Sequence, residues 1–263
     1  MPTEALLRSG SFIAVLLLML AAESIWPRRS PRSPKFGSFF NNIGISVLST
    51  GVVRLIFPVL PVALAALATE RGWGIFNLMD LPYWASFALS VALLDMAIYW
   101  QHVAFHRIRP LWRIHRMHHA DTDIDASTGV RFHPIEIAAS MAFKCLLVVV
   151  LGAPAMAVLT FEIILNACSL FNHANLHLPL RLDAPLRLLL VTPDMHRVHH
   201  STDMREANRN YGFCVPWWDF LFRTYKAQPD DGHLDMRIGL NILRDTRFRR
   251  LPGMLAIPFL KNG

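Results

Sequence analysis

Apolar positions in this chain fall in long runs rather than in alternation. Residues 11–26 (SFIAVLLLMLAAESIW), 37–69, 82–105 and 135–175 are predominantly apolar with few charges. Runs of about 20 such residues cross the hydrocarbon layer as helices, because a helix satisfies its own backbone there. The run 37–69 is longer than one crossing and is expected to tilt or break near Pro58 and Pro61. Residues 135–175 suffice for two crossings, with Gly152-Ala153-Pro154 as the turn between them. The pattern predicts an all-α integral membrane bundle of about three spans plus a membrane hairpin, joined to a cytoplasmic helical cap.

The polar positions orient this bundle. One Arg and one Glu precede the first run, whereas Arg28, Arg29, Arg32 and Lys35 follow it. That asymmetry favours a retained span, rather than a cleaved signal peptide, with its C-terminal end in the cytoplasm. Residues 70–81 hold only one Lys or Arg, Arg71, and read as an outside loop. Residues 107–134 carry Arg107, Arg109, Arg113, Arg116 and Arg131 and belong on the inner side. After residue 175 the chain stays inside.

Composition agrees with a multi-pass membrane protein: 53% of residues are hydrophobic, with 26 Lys and Arg and a mean hydropathy of +0.34. The basic residues flank apolar spans, which suits anionic lipid headgroups and argues against nucleic acid as a partner. Cys145, Cys168 and Cys214 are isolated and form neither a zinc ribbon nor a disulfide framework.

Ten of the twelve histidines form two matching blocks. His102 and His106 precede His115-Arg116-Met117-His118-His119; His173 and His177 precede His196-Arg197-Val198-His199-His200. Residues three and four apart share a helix face, so each pair should project together, and the first His of each triplet should align with the other two. Neutral imidazole ligates iron, zinc, copper and nickel. Ten rings exceed what one ion needs and suit two, about five each. All four groups fall on the side assigned as cytoplasmic from Lys and Arg counts alone.

Other polar residues have competing readings. Asp95, seven residues before His102, could pair with Arg54 within the membrane or orient a ligand ring, directly or through water. Asp121, Asp123 and Asp125 resemble the start of an EF-hand loop but lack its Gly and closing Glu, so calcium is excluded and solvated side chains are expected. Pro110 suits the first turn of a short helix carrying the first triplet. Pro134 and Glu136 suit the first turn of the membrane hairpin, with His133 more plausibly a buried hydrogen-bonding residue than an eleventh ligand. Thr192-Pro193-Asp194 reads as the start of the helix carrying the second triplet, and Asn210-Tyr211-Gly212 as a turn. Trp217, Trp218 and Tyr225 read as core or headgroup-level aromatics. The basic C-terminal stretch reads as irregular, with His233 at the surface.

E-x-x-H, H-E-x-x-H, G-x-S-x-G, P-loop and G-x-G-x-x-G motifs are all missing. This disfavours carboxylate di-iron bundles, zincin proteases, serine hydrolases and nucleotide binders. A redox metal pair beside an apolar hairpin points to lipid oxidation. The alternatives are a dinuclear zinc hydrolase or a metal-binding transporter on the same histidines.

Taken together, Asp95, Tyr99-Trp100, His102, His106, Trp112, His115, His118-His119, Arg131, His133-Pro134, Glu136, His173-Ala174-Asn175, Thr192-Pro193, His196 to His200, Asn210-Tyr211-Gly212 and Trp218-Asp219 resemble the fatty acid hydroxylase/sterol desaturase superfamily. The resemblance covers about residues 90–226. It implies a membrane non-haem di-iron oxygenase that hydroxylates or desaturates a lipid with O2. It divides one domain, 1–263, into N-terminal spans (10–90), a catalytic region (91–226) and a C-terminal tail (227–263). Asp95, His133, Glu136, Asn175 and Asp194 become the residues expected to orient ligand rings. Electrons are expected from a separate cytochrome b5-, ferredoxin- or reductase-type protein, since no b5-like haem segment is visible; the basic inner face could dock an acidic donor. One departure is Val103, where the family often has Arg after the first His; it leaves the ligands intact but affects expected substrate contacts.

Overall fold

The computed structural model describes residues 2–30 and 35–261. Among these the chain is all-helical; extended backbone pairs only at two isolated bridges, Pro27 with Leu176 and Ser201 with Ile238. Five apolar helical segments are long enough to cross a membrane: Glu4–Ile25, Gly37–Leu78, Tyr83–Arg107, Pro134–Leu151 and Ala155–His173.

The first segment belongs to α1 (Pro2–Ile25). The second breaks, as its prolines require: α2 (Lys35–Ile56) ends before Pro58, and α3 (Pro61–Glu70) restarts with proline in its first turn, where the missing N–H is not needed. A single turn, α4 (Ile75–Leu78), follows. α5 (Tyr83–Arg107) then runs the length of the bundle into the short α6 (Arg109–His119). α7 (Pro134–Leu151) and α8 (Ala155–His173) form the hairpin. Gly152 closes α7 in the left-handed conformation, φ 67°, a geometry glycine adopts without Cβ strain. Here the packing is tight: a Cβ on Gly74 would fall 2.1 Å from the Gly152 nitrogen.

The bundle therefore has two distinct ends. At one, residues 71–77 cover the α7–α8 turn, and Ala65, Leu94, Val148, Ala153, Val158 and Phe161 form a buried core. At the other, residues 26–29, α6, the loop before α7 and residues 174–261 come together. Arg28 N–H donates to the Asn175 carbonyl at 2.9 Å. This is the division of ends expected from the basic residues; Arg32, one of those counted, lies outside the described residues.

After α8 the cap is built from short helices: α9 (Leu180–Leu186), α10 (Pro193–His199), α11 (Met204–Ala207), α12 (Trp217–Leu221), α13 (Gly232–Asp235) and α14 (Leu251–Ala256). The C-terminal stretch is not a loose tail. Phe248, Met254 and Ile257 are buried with Ile45, Met117 and Ala120, and Arg116 Nη2 donates to the Ile257 and Leu260 carbonyls at 2.7 and 2.8 Å. Apolar residues spaced between arginines look irregular in sequence but fill the back of α6.

Candidate metal centre

Four elements converge at the inner end. His102 and His106 stand on the last turns of α5; His115, His118 and His119 on α6; His173 is the last residue of α8. α10 supplies His196 and His199, and His200 follows it. As expected, Pro193 opens α10, capped by the Thr192 hydroxyl accepting from Met195 N–H at 3.4 Å.

These rings form two groups. His102, His106, His115, His119 and His199 make the first; His118, His173, His196 and His200 make the second; within each, the possible ligand atoms lie within 4.8 Å of one another. All nine are buried. The triplets do not act as units. Residues four apart stay together, His115 with His119 and His196 with His200, while the residue three along crosses to the other group. At about 100° per residue, i+3 and i+4 diverge by about 100° around the helix. One triplet on one short helix thereby serves two centres.

His177 is not brought into either group. α8 stops at His173, so the four-residue helical relation is lost. The chain turns back instead along residues 26–29, with His177 N–H donating to the Trp26 carbonyl at 2.9 Å and its side chain exposed.

The rings are aimed from behind, mostly by backbone. Nδ1 of His102 lies 2.8 Å from the Tyr211 carbonyl, that of His173 2.7 Å from the Ser169 carbonyl, and that of His199 2.8 Å from the Arg209 carbonyl. His118 Nδ1 lies 3.2 Å from the Arg131 carbonyl. His115 alone is held by a carboxylate, Glu136 Oε1 at 2.7 Å. Such partners fix the tautomer and turn Nε2 inward. The consequence is sharpest for His118 and His173. Both donate from Nδ1 to carbonyls, so in the neutral rings both Nε2 atoms carry lone pairs, yet these atoms lie 3.0 Å apart. Two facing lone pairs repel unless a cation sits against both. Two ligands at right angles on a metal, with bonds of about 2.1 Å, are separated by about 3.0 Å. Nε2 of His102, His115 and His199 has no hydrogen-bond partner among the described residues, another feature a metal would resolve.

Burial, reinforced by neighbouring imidazoles, pushes His118, His119, His196 and His200 well below the ordinary histidine range; burial pushes His199 down to about 3. These rings are therefore neutral near pH 7, the state that ligates. An all-nitrogen donor set without thiolate suits a borderline divalent transition metal.

Of the five residues expected to orient ligands, Glu136 touches one. For Asp95 neither reading takes the form of a direct contact: among the described residues no ion pair joins it to Arg54 and no hydrogen bond joins it to a ring of the site, while its Oδ2 accepts from Trp218 Nε1 at 2.8 Å. It thus anchors α12 across the bundle. His133 caps α7, its Nδ1 accepting from Ile135 N–H at 3.2 Å, and belongs to neither group. Asn175 clamps Arg29, donating to its carbonyl at 2.8 Å and accepting from its N–H at 3.1 Å. Asp194 pairs with Arg28 at 3.0 Å.

Three residues expected at the surface are buried: Asp121, Asp125 and His233. Asp125 caps a 3-10 turn (Ala126–Val130) by accepting from Ser127 N–H at 2.8 Å, and Thr128 Oγ1 donates to Asp121 at 2.9 Å. Burial, with Glu23 and Asp121 nearby, raises the Asp125 carboxyl to about 7. His233 lies 3.6 Å from Asp194. Spacing could not reveal these contacts, because each partner comes from a distant or irregular segment. Two supporting residues had also gone without a role. Asp219 accepts the Tyr211 and Gly212 N–H groups at 2.9 and 2.8 Å, steadying the carbonyl behind His102. Glu23 accepts from the Ala126 and Asn175 N–H groups at 3.1 and 3.0 Å. An acidic residue in an apolar helix was a legible signal for the second of these.

A cavity of about 370 Å3 runs between α1, α2, α5, α7 and α8 to the edge of the site, where His102, His115 and Glu136 line it beside Phe132 and Phe213.

A family profile described as fatty acid hydroxylase matches residues 87–224. An ornithine lipid hydroxylase of Rhizobium tropici is 26% identical over 262 residues, 98% of this chain and 75% of that protein. Human alkylglycerol monooxygenase is 30% identical over 162 residues, 59% of this chain and 34% of that protein. A very-long-chain aldehyde decarbonylase of Arabidopsis thaliana is 27% identical over 166 residues, covering 57% of this chain and 26% of that protein. The chain thus spans most of the first relative and a minor part of the other two. No solved structure matches it significantly.

Proposed function

The chain belongs to the fatty acid hydroxylase family and is an oxidoreductase of that type, and from this premise we propose that it is a di-iron membrane oxygenase that hydroxylates or desaturates a lipid. The observation that carries the reading is the pair of adjacent groups of buried imidazoles. His102, His106, His115, His119 and His199 would hold one iron; His118, His173, His196 and His200 would hold the other. His177 is left out of this set. When bound, the iron pair supplies the redox and O2-activating chemistry that no side chain here provides.

The protein's own contribution is orientation and exclusion. Glu136 keeps the Nδ1 proton of His115, and carbonyls keep those of His102, His118, His173 and His199, so the nitrogens facing the metals stay unprotonated. Burial keeps water out. The cavity beside His102 and His115 presents the lipid. The proposal treats the chain as one membrane domain with its histidine end at the cytoplasmic face. Electrons come from a separate protein of the cytochrome b5, ferredoxin or reductase type, and exposed Arg107, Arg109, Arg205 and Arg237 at that end suit an acidic donor.

The test is anaerobic purification with iron, then supply of electrons, O2 and membrane lipid. Two irons per chain are expected, with products heavier by one oxygen or lighter by two hydrogens. His118→Ala and His199→Ala, one in each group, should each abolish turnover. Reaction that proceeds equally without O2, or best with zinc, would transfer the site to a hydrolase.

A further inference from the structure

The cavity that ends on His102 and His115 is charged at its other end. Its wall there carries Arg8 from α1, Arg54 from α2, Lys144 from α7 and Glu162 from α8. Glu162 is 3% exposed, in the middle of an apolar helix. Lys144 and Arg8 both pair with its carboxylate, and Arg8 also pairs with Glu4 at 3.1 Å. No carboxylate pairs with Arg54 among the described residues. Among the described residues, three cations thus line this end, of which Arg8 and Lys144 pair with Glu162 and Arg8 also reaches Glu4, so the cavity end carries net positive charge.

Ionised side chains inside a membrane bundle are costly and gather where a polar group must be received. The wall between the two ends is polar as well: Gln101 Nε2 donates to Ser140 Oγ at 2.8 Å, and Thr50 and Asn166 also line the space. A plain hydrocarbon chain would leave the cations without an added partner. Lys144 lies eight residues beyond Glu136 on α7, about 12 Å along the helix, and Glu162 lies eleven residues before His173 on α8, about 16 Å. The charged cluster and the histidines therefore bracket the cavity.

We propose that Lys144, Arg8 and Arg54 receive an anionic group, a carboxylate or a phosphate, at one end of the lipid substrate, and so set which carbon reaches the histidines. The proposal rests on the lipid-oxidising reading above. Glu162 keeps Lys144 and Arg8 poised while the cavity is empty and leaves the cluster with spare positive charge. A lipid whose anionic group and reacting carbon are separated by about 12 to 16 Å, the helix spacing just given, matches the cavity at both ends.

Binding without turnover tests this, so its failure is separable from failure of the oxygenase reading. The full-length metal-loaded protein in non-ionic dodecyl maltoside micelles is titrated calorimetrically with dodecanoate, dodecyl phosphate or dodecanol. At least one anion should bind tenfold or more tighter than dodecanol, and the tighter of the two anions identifies carboxylate or phosphate as the group received. Lys144→Met should remove most of that preference, and Lys144→Arg should keep it. Arg54→Gln breaks no ion pair, so it should fold even if Lys144→Met does not, and it should lower the preference several-fold. Equal binding of all three probes overturns the proposal, as does an unchanged preference in Arg54→Gln and in any folded Lys144→Met protein.

Discussion

At the scale of single residues, the site depends on which ring nitrogen carries the proton. Among the described residues Glu136 is the only carboxylate that holds a ring of the two groups, and its contact with Nδ1 fixes the tautomer of His115. Glu136→Gln keeps an acceptor without the charge, while Glu136→Ala removes both. Metal affinity should fall about 10–100-fold in the alanine variant and less in the glutamine variant, read as metal retained per chain after dialysis against a chelator. Equal retention in both variants and the parent protein would remove Glu136 from this role. Burial holds His199 at about 3 and His233 at about 4, both below the ordinary value of about 6.5. The unfolded chain then binds protons that the folded protein refuses. Stability from these neutral rings is complete above about 6.5 and is lost as pH falls through that value toward 4 and 3. The metal-free protein should show a level melting temperature above pH 7 and a steady decline below 6.5; a melting temperature that rises on acidification would contradict this.

At the scale of elements, the short 3-10 turn and the end of α8 act as one support. The Ser169 hydroxyl donates to the Gly129 carbonyl at 2.7 Å, the Ser169 carbonyl holds His173, and the Arg131 carbonyl two residues after Gly129 holds His118. A Cβ on Gly129 would fall 2.4 Å from the Ser169 carbonyl oxygen, and backbone cannot swing aside as a side chain does. Gly129→Ala should therefore cost about 1–3 kcal/mol by overpacking and loosen His118 and His173 together, seen as a lower melting temperature with reduced metal content. Gly51→Ala is the matched control: its Cβ would meet nothing within 4 Å, and in mid-helix it should be neutral or stabilise by up to about 1 kcal/mol.

At the scale of the whole molecule, all the described ring-bearing elements sit at the bundle end that also carries Arg28 and Arg29, opposite the Gly74–Gly152 contact. If that end is cytoplasmic, as expected from the distribution of Lys and Arg, Arg205 and Arg71 lie on opposite faces of the membrane. In a background lacking Cys145, Cys168 and Cys214, Arg205→Cys should resist an impermeant thiol reagent in intact cells, whereas Arg71→Cys should react. The reverse pattern would invert the topology. This end also explains why the C-terminal stretch matters: Arg131 donates to the Met117, Asn42 and Phe248 oxygens at 3.1, 3.1 and 3.0 Å, tying α2, α6 and residues near 248 into one buried junction.

Local pattern by itself determined the apolar helices, the break at Pro58 and Pro61, the Gly152 turn, the helix starts at Thr192-Pro193 and at Pro134, and nine residues of the two histidine groups. Each depends on covalent geometry or on neighbours within one or two turns, which the order of residues specifies directly. Tertiary structure alone decided how those histidines divide, because the 100° between i+3 and i+4 becomes meaningful only once a second helix lies against each side. It decided that His177 stays out, since the end of α8 is set by Asn175 gripping residues 28 and 29 from nearly 150 positions away. It also brought a tryptophan to Asp95, and it turned the Tyr211, Arg131 and Arg209 backbone carbonyls toward imidazoles. A carbonyl is the same in every residue, so nothing in its side chain marks it for that role; only the path of the folded chain does.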